Sequence, residues 1–476
     1  MATDFLARAA WRSRLLGTAA LVASLAACAV GPDYQKPPAP TPPAFKETQD
    51  WKVSQPQQAG SDKAWWSIYN DASLDALEKQ IDISNQNLKA SEAAYRQAVA
   101  LVGEARAGFF PTFTFDSAVQ QSGQGKALPV TQYSGSAGAS WEIDIWGRIR
   151  REVESNEANA QASAADLAAA RLSAQAELAT DYFQLRVEDE LKRLLDATVT
   201  AFARSLQIAQ NRYDAGVAAK TDVASAQAQL ESTRAQAINV GVLRSQFEHA
   251  IAVLIGKPPA EFTLAPAPTV VADIPLTPPG LPSALLERRP DIAAAERQMA
   301  AANAQIGVAV AAYYPTITLG GSVGLATTMV SALFSPESVI WAVGPQLAAT
   351  IYDGGLRGAQ VEAARATFDQ TVALYRQTVL TAFQQVEDQL AALRILAQQA
   401  AVQNGAVQAA TEAERLTLNQ YEAGTVDYTS VITAQANALS NRQTALGILQ
   451  NRITASVALI TALGGGWDTS QLPANP

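Results

Sequence analysis

"YSGSAGASWEIDIW", residues 133–146, decides the reading of this chain. Tyr133, Gly135, Ala137, Ala139, Trp141, Ile143 and Ile145 fall on one face of an extended segment, and Ser134, Ser136, Gly138, Ser140, Glu142 and Asp144 on the other. Such alternation, apolar against small or polar, is the pattern of a strand with an oily medium on one face and water on the other. It recurs at about 111–119, 315–325 and 339–352. In the last of these Trp341, Val343, Leu347, Ala349 and Ile351 oppose Ala342, Gly344, Gln346, Ala348 and Thr350. The stretches between, about 120–131 and 326–338, are rich in Gly, Ser and Thr and read as loops.

Around these strands the chain reads as helix. Residues 148–213 and 356–421 are rich in Ala, Gln, Glu and Arg, with Gly and Pro nearly absent between 160 and 210. A helix of that length is a rod of about 100 Å, more than an ordinary globular core requires. "YDAG" and "YEAG" break the two rods, and a helix returns after each. In the first return, Ala226, Leu230, Thr233, Ala237, Val240, Phe247, Ile251 and Leu254 follow 4-3 spacing, interrupted by Arg244. Small residues at such positions predict close, coiled-coil-like packing.

The chain is also written twice. "NRYDAGVAAKTDVASAQAQ" (211–229) returns 208 residues later as "NQYEAGTVDYTSVITAQAN" (419–437), and the same shift pairs Arg244 with Arg452 and Gly256 with Gly464. "FFPTFTF" (109–115) matches "YYPTITL" (313–319) at a shift of 204, which places a small length difference between. Each unit reads as helix, strand, strand, long helix, turn, helix. The predicted division is a signal peptide at 1–27, a Pro-rich tether at 28–60, repeats at 61–270 and 271–466, and a tail at 467–476.

Four strands with one apolar face cannot close a membrane barrel, because the smallest transmembrane barrels have about eight. Unpaired edges in lipid cost several kcal/mol for each unsatisfied backbone group. The chain must therefore oligomerise. Two protomers give eight strands and a filled interior; three give twelve and room for a lumen, which the small inner residues favour.

Composition removes several function classes. A net charge of −9 without a basic block argues against nucleic acid as a partner. One cysteine and one histidine (His249) leave no thiol or imidazole metal cluster, no nucleophile–base pair is visible, and no cofactor or enzyme activity is expected. Arg8, Arg12 and Arg14 precede the apolar run "LLGTAALVASLAA" (15–27) and then Cys28, a secretory signal too short to span a bilayer. "LAAC" (25–28) is similar to a lipobox, which predicts a covalent lipid on Cys28; Ala29 after it, by the sorting rule of such lipoproteins, implies the outer membrane. No other uninterrupted apolar run of membrane-spanning length is visible.

With "CAVGPDYQKP" (28–37), "LLERRPDIAAAERQMAAANAQIG" (285–307), "YDGGLRGAQVEAARA" (352–366) and "ALGGGWD" (462–468) in this order, the chain resembles the lipoprotein branch of the TolC-like outer-membrane factors of tripartite efflux pumps, over nearly all its mature length. The resemblance implies a mainly α fold with a transmembrane β part: a homotrimer with a 12-stranded barrel, four strands per protomer, continued by a long α-helical barrel with a mixed equatorial region. It implies a passive duct for small molecules, embedded in outer-membrane lipid. A periplasmic adaptor would couple it to an inner-membrane pump of the resistance-nodulation-division type.

By position, the resemblance also implies adaptor docking at the tips Gly216-Val217-Ala218 and Gly424-Thr425-Val426, and a periplasmic gate at Asp222 and Tyr421. Asp222 has an alternative reading as helix N-cap, in competition with Thr221. The family often carries Asp where this chain has Thr433; here Thr429, Thr433 and Ala436 would line the narrowest turns, with Asp427 nearby. The competing reading is a structural coiled-coil envelope lipoprotein without a conduit, for which four amphipathic strands have no use.

Overall fold

The computed structural model describes residues 29–47, 64–123, 125, 128–267 and 282–474. Cys28, the signal region before it and residues 268–281 around the predicted repeat boundary lie outside the described residues. The first unit runs α1 (Ala72–Ser84), α2 (Gln86–Ala107), β1 (Thr112–Ser122), β2 (Val130–Glu142), α3 (Arg148–Asp214) and α4 (Lys220–Leu254). After the one-turn α5 (Leu285–Arg288), the second runs α6 (Pro290–Ala311), β3 (Thr316–Thr327), β4 (Val339–Ala348), α7 (Leu356–Glu422) and α8 (Tyr428–Ala462). The duplication is metrical: α2 and α6 have 22 residues each, α3 and α7 have 67, α4 and α8 have 35.

The strands form one antiparallel sheet in the order β1-β2-β3-β4. Its register places Phe115 opposite Ala137, Ala137 opposite Val323 and Val323 opposite Trp341, so the large apolar residues of the four strands, Val130 and Ile340 apart, share one face. Thr114, Gly138, Ser322 and Ala342 line up on the other. Phe113, Phe115, Trp341 and Val343 are each more than 70% exposed, which marks a face that needs an apolar medium. β2 extends further toward its loop than the sequence implies, because Val130 to Gln132 pair with Gln120 to Ser122. It also ends sooner: Trp146 turns out of the strand, stacks on Tyr314 and donates its indole N–H to the Pro315 carbonyl. β4 stops at Ala348 rather than 352, and Ile351 and Tyr352 are almost fully exposed.

Both rods start the same way. Gly147 (φ +79°) and Gly355 (φ +97°) lead into α3 and α7, and neither helix has a side-chain N-cap at that position. A carboxylate further back does the capping: Asp144 accepts from the backbone N–H of Ile149 and Arg150, Asp353 from those of Gly355 and Arg357. Near the sheet, α3 meets α6 through alanines (Ala158 with Ala300 and Ala301, Ala165 with Ala293 and Ala294), whose small side chains let the backbones approach. Midway, Trp65, Trp66, Tyr69 and α1 pack on Tyr182 and Phe183. Beyond that, Ala226, Leu230, Thr233, Ala237 and Val240 of α4 are buried, as their spacing requires, while Arg244 leaves the seam to bind Asp189 at 2.7 Å. Among the described residues α8 alone is long and apolar enough to cross a membrane, but nearly half of its most apolar window is buried and it pairs along α7.

The tether is a strap where it is described. Val30 donates to the Trp146 carbonyl, Asn303 to the Pro32 carbonyl and Tyr34 to Glu296, while Glu387 accepts the backbone N–H of Lys46 and Glu47. Phe45 packs on Phe383, and Glu47 pairs with Arg394. Arg186, the first-repeat counterpart of Arg394, instead donates to the Ala265 carbonyl, so pseudo-equivalent grooves hold the strap and the segment after α4.

Candidate functional site at the rod tips

The residues singled out by sequence gather at the end of the rods remote from the sheet. Gly216 (φ +75°) and Gly424 (φ +77°) take the left-handed backbone that glycine adopts without strain. The bonds around them match: Gly216 N–H to Tyr213 O and Val217 N–H to Arg212 O, Gly424 N–H to Tyr421 O and Thr425 N–H to Gln420 O, the pattern of a Schellman helix end. Val217 is 63% exposed at the apex of the first turn and its counterpart Thr425 is exposed in the second, while Val426 packs against the cluster that contains Tyr421 and Tyr428.

Asp222 is not the N-cap of α4. That helix begins at Lys220 after Ala219, and Asp222 sits in its first turn, its own N–H bonded to the Ala219 carbonyl. This frees the carboxylate to face the other repeat, where the Tyr421 hydroxyl lies 3.5 Å away. Tyr421 is buried and meets Tyr428 edge-on at 5.1 Å between centroids. Burial, then the charge of Asp222, raises the Tyr421 pKa; burial pushes Tyr428 up to about 12, so both rings stay neutral hydrogen donors.

Asp427 is the N-cap of α8, accepting from the Ser430 N–H at 2.9 Å and its hydroxyl at 2.8 Å, and these bonds hold its pKa below the usual carboxylate range. Thr433 turns its hydroxyl back onto the Thr429 carbonyl. Asp427, Thr429 and Thr433 share one wall of an open groove of about 820 Å³ between α7 and α8. The structure thus brings Asp222 and Tyr421 together and leaves the second group on a separate surface. Sequence reasoning missed Tyr428 and Arg212, although "NRYDAG" and "NQYEAG" differ only by Asp for Glu and by the loss of a charge in Gln420 for Arg212.

The family model described as "Outer membrane efflux protein" matches residues 77–257 and 281–465, one range for each repeat. Over 470 residues the chain is 30% identical to the probable efflux pump outer membrane protein TtgC of Pseudomonas putida, covering 95% of this chain and 96% of that one. It is 27% identical over 452 residues to the cation efflux system protein CusC of Escherichia coli, covering 93% and 97%. The solved outer-membrane channel OprN superposes with a TM-score of 0.86 at 30% identity, over 92% of this chain and 100% of that one. With an amphipathic sheet at one end, paired rods and a tandem repeat matched throughout, the chain belongs to the outer membrane efflux protein family and is an outer-membrane channel component of an efflux system.

Proposed function

We propose that three copies of this chain close a 12-stranded barrel and form a passive duct that carries small molecules from the periplasm to the exterior. The observation that carries this reading is the sheet: one face holds nearly all its large apolar residues, and its edges, β1 and β4, have no partner among the described residues. A coiled-coil lipoprotein without a conduit would need no such sheet. The duct has no catalytic role; an inner-membrane pump of the resistance-nodulation-division type supplies the energy. The periplasmic adaptor docks at the tips around Gly216, Val217, Gly424 and Thr425, where the first turn presents exposed Val217. The names of relatives, which include antibiotic, toluene and cation efflux components, support a cargo set by the pump rather than by the duct. Cys28 carries the lipid; the lipobox-like "LAAC" supports this, and its neighbour Ala29 lies against Gly147 at the end of α3 next to the sheet.

Detergent-extracted protein is expected at the mass of three protomers and to produce discrete conductance steps in planar bilayers. A stable monomer with intact strand content contradicts the reading. Fatty-acid labelling that is equal in wild type and Cys28→Ser removes the lipid from it.

A further inference from the structure

Arg212 belongs to the first rod, yet its guanidinium makes its contacts in the second repeat. Nη1 donates to the Glu422 carbonyl at 2.9 Å, at the C-terminus of α7, where a cation also meets the negative end of the helix dipole. The guanidinium lies 4.8 Å over the Tyr421 ring, within cation–π range. A Cβ placed on Gly424 would sit 3.5 Å from Nη2, an ordinary contact distance, so the guanidinium lies against the second tip turn. Nε is buried with no hydrogen-bond partner among the described residues, a sign that the side chain is held by the tip rather than by solvent. The contact is one-sided. Position 420, equivalent to 212 in the second repeat, carries Gln420, which contributes its backbone carbonyl to Thr425.

We propose that Arg212 is a positioning residue of the gate: it latches the first tip to the second and holds Tyr421 where its hydroxyl faces Asp222. This deepens the proposed duct and rests on that reading. The fork of the guanidinium suits the task, since it engages a carbonyl and covers a ring at once, which an ammonium does less well. Because the latch acts through Tyr421, removing both has no more effect than removing either.

The test is single-channel recording of reconstituted trimers carrying Arg212→Gln, which installs the side chain of the second repeat. Acting through the Tyr421–Asp222 bond, the loss shifts the open-to-closed ratio by up to about fivefold per protomer, so frequent openings are expected while trimer melting is unchanged. Arg212→Gln with Tyr421→Phe is expected to match the single variants. If Asp222→Ala and Tyr421→Phe open the channel and Arg212→Gln does not, or if the effects of Arg212→Gln and Tyr421→Phe simply add, the latch is overturned and the gate stands. If none of them opens it, the gate reading itself fails. Should Arg212→Gln not assemble, Arg212→Lys serves: partial opening is expected, and recordings identical to wild type overturn the latch.

Discussion

Tyr421 donates its hydroxyl to Asp222 across 3.5 Å, joining the end of α7 to the first turn of α4. At that length the bond is weak, worth about 1 kcal/mol or less in each protomer. Three copies acting together still bias the tips. Asp222→Ala with Tyr421→Phe is expected to raise single-channel conductance while trimers persist, because the rods are held by packing along their length. Unchanged conductance with intact trimers removes the pair from the gate and transfers the role to Asp427, or to steric closure by Thr429 and Thr433.

Gly256 and Gly464 end α4 and α8 and place the two repeats under the same constraint. A Cβ on Gly256 would lie 2.1 Å from the Ser84 carbonyl oxygen, and one on Gly464 2.0 Å from that of Arg288, with φ at +70° and +95°. Backbone cannot withdraw as a flexible side chain can. Alanine at either position is expected to cost about 3 kcal/mol or more, from left-handed strain plus the clash. Thermal unfolding of the solubilised protein measures this, and a melting temperature equal to wild type for both variants contradicts it.

This pair also shows what the sequence makes legible. Period and repetition put both rods within one residue of their observed ends and paired Gly256 with Gly464, because helix breaks and heptad spacing are local signals. The strand limits were less legible. β4 reads to 352 but ends at Ala348, because its ladder with β3 stops where Thr316 faces Ala348, next to Pro315, whose nitrogen has no hydrogen to donate. The Tyr421–Asp222 contact spans 199 residues, and composition carries no sign of it. Only resemblance located it, while Arg212, which departs from its repeat counterpart, went unread.

Glu78 of α1 is fully buried, and neither carboxylate oxygen has a hydrogen-bond partner among the described residues. Burial first, and the charge of Asp82 second, push its pKa up to about 9. The folded chain therefore keeps a proton that the unfolded chain releases near the ordinary carboxylate pKa. The stability contributed by Glu78 is fully present below that ordinary value and is lost as pH rises toward about 9. Glu78→Gln, which keeps the shape of the protonated acid, is expected to flatten this decline. Melting measured across that range on both proteins checks it, and parallel curves for the two contradict it.

The central claim is closure between chains, and the internal repeat specifies how the edges meet. Each β1 residue has its counterpart 204 positions on in β3, and β2 residues 131–140 have theirs 208 positions on in β4. Transferring the β2–β3 register to the junction between protomers sets β4 against β1 of the next chain, with Leu347 opposite Ser117 and Gly344 opposite Gln120. It also gives residues 349–352 the partner they lack within one chain. In a single protomer β1 and β4 stand three strand spacings apart, about 14 Å, too far for a disulfide. The most direct measurement is oxidative cross-linking of Leu347→Cys with Ser117→Cys in native membranes, read on a non-reducing gel. Covalent dimers and trimers, with little product from the out-of-register pair Leu347→Cys with Gln121→Cys, are predicted. Monomer alone from the in-register pair, in membranes that still hold folded protein, would contradict the closed three-chain barrel.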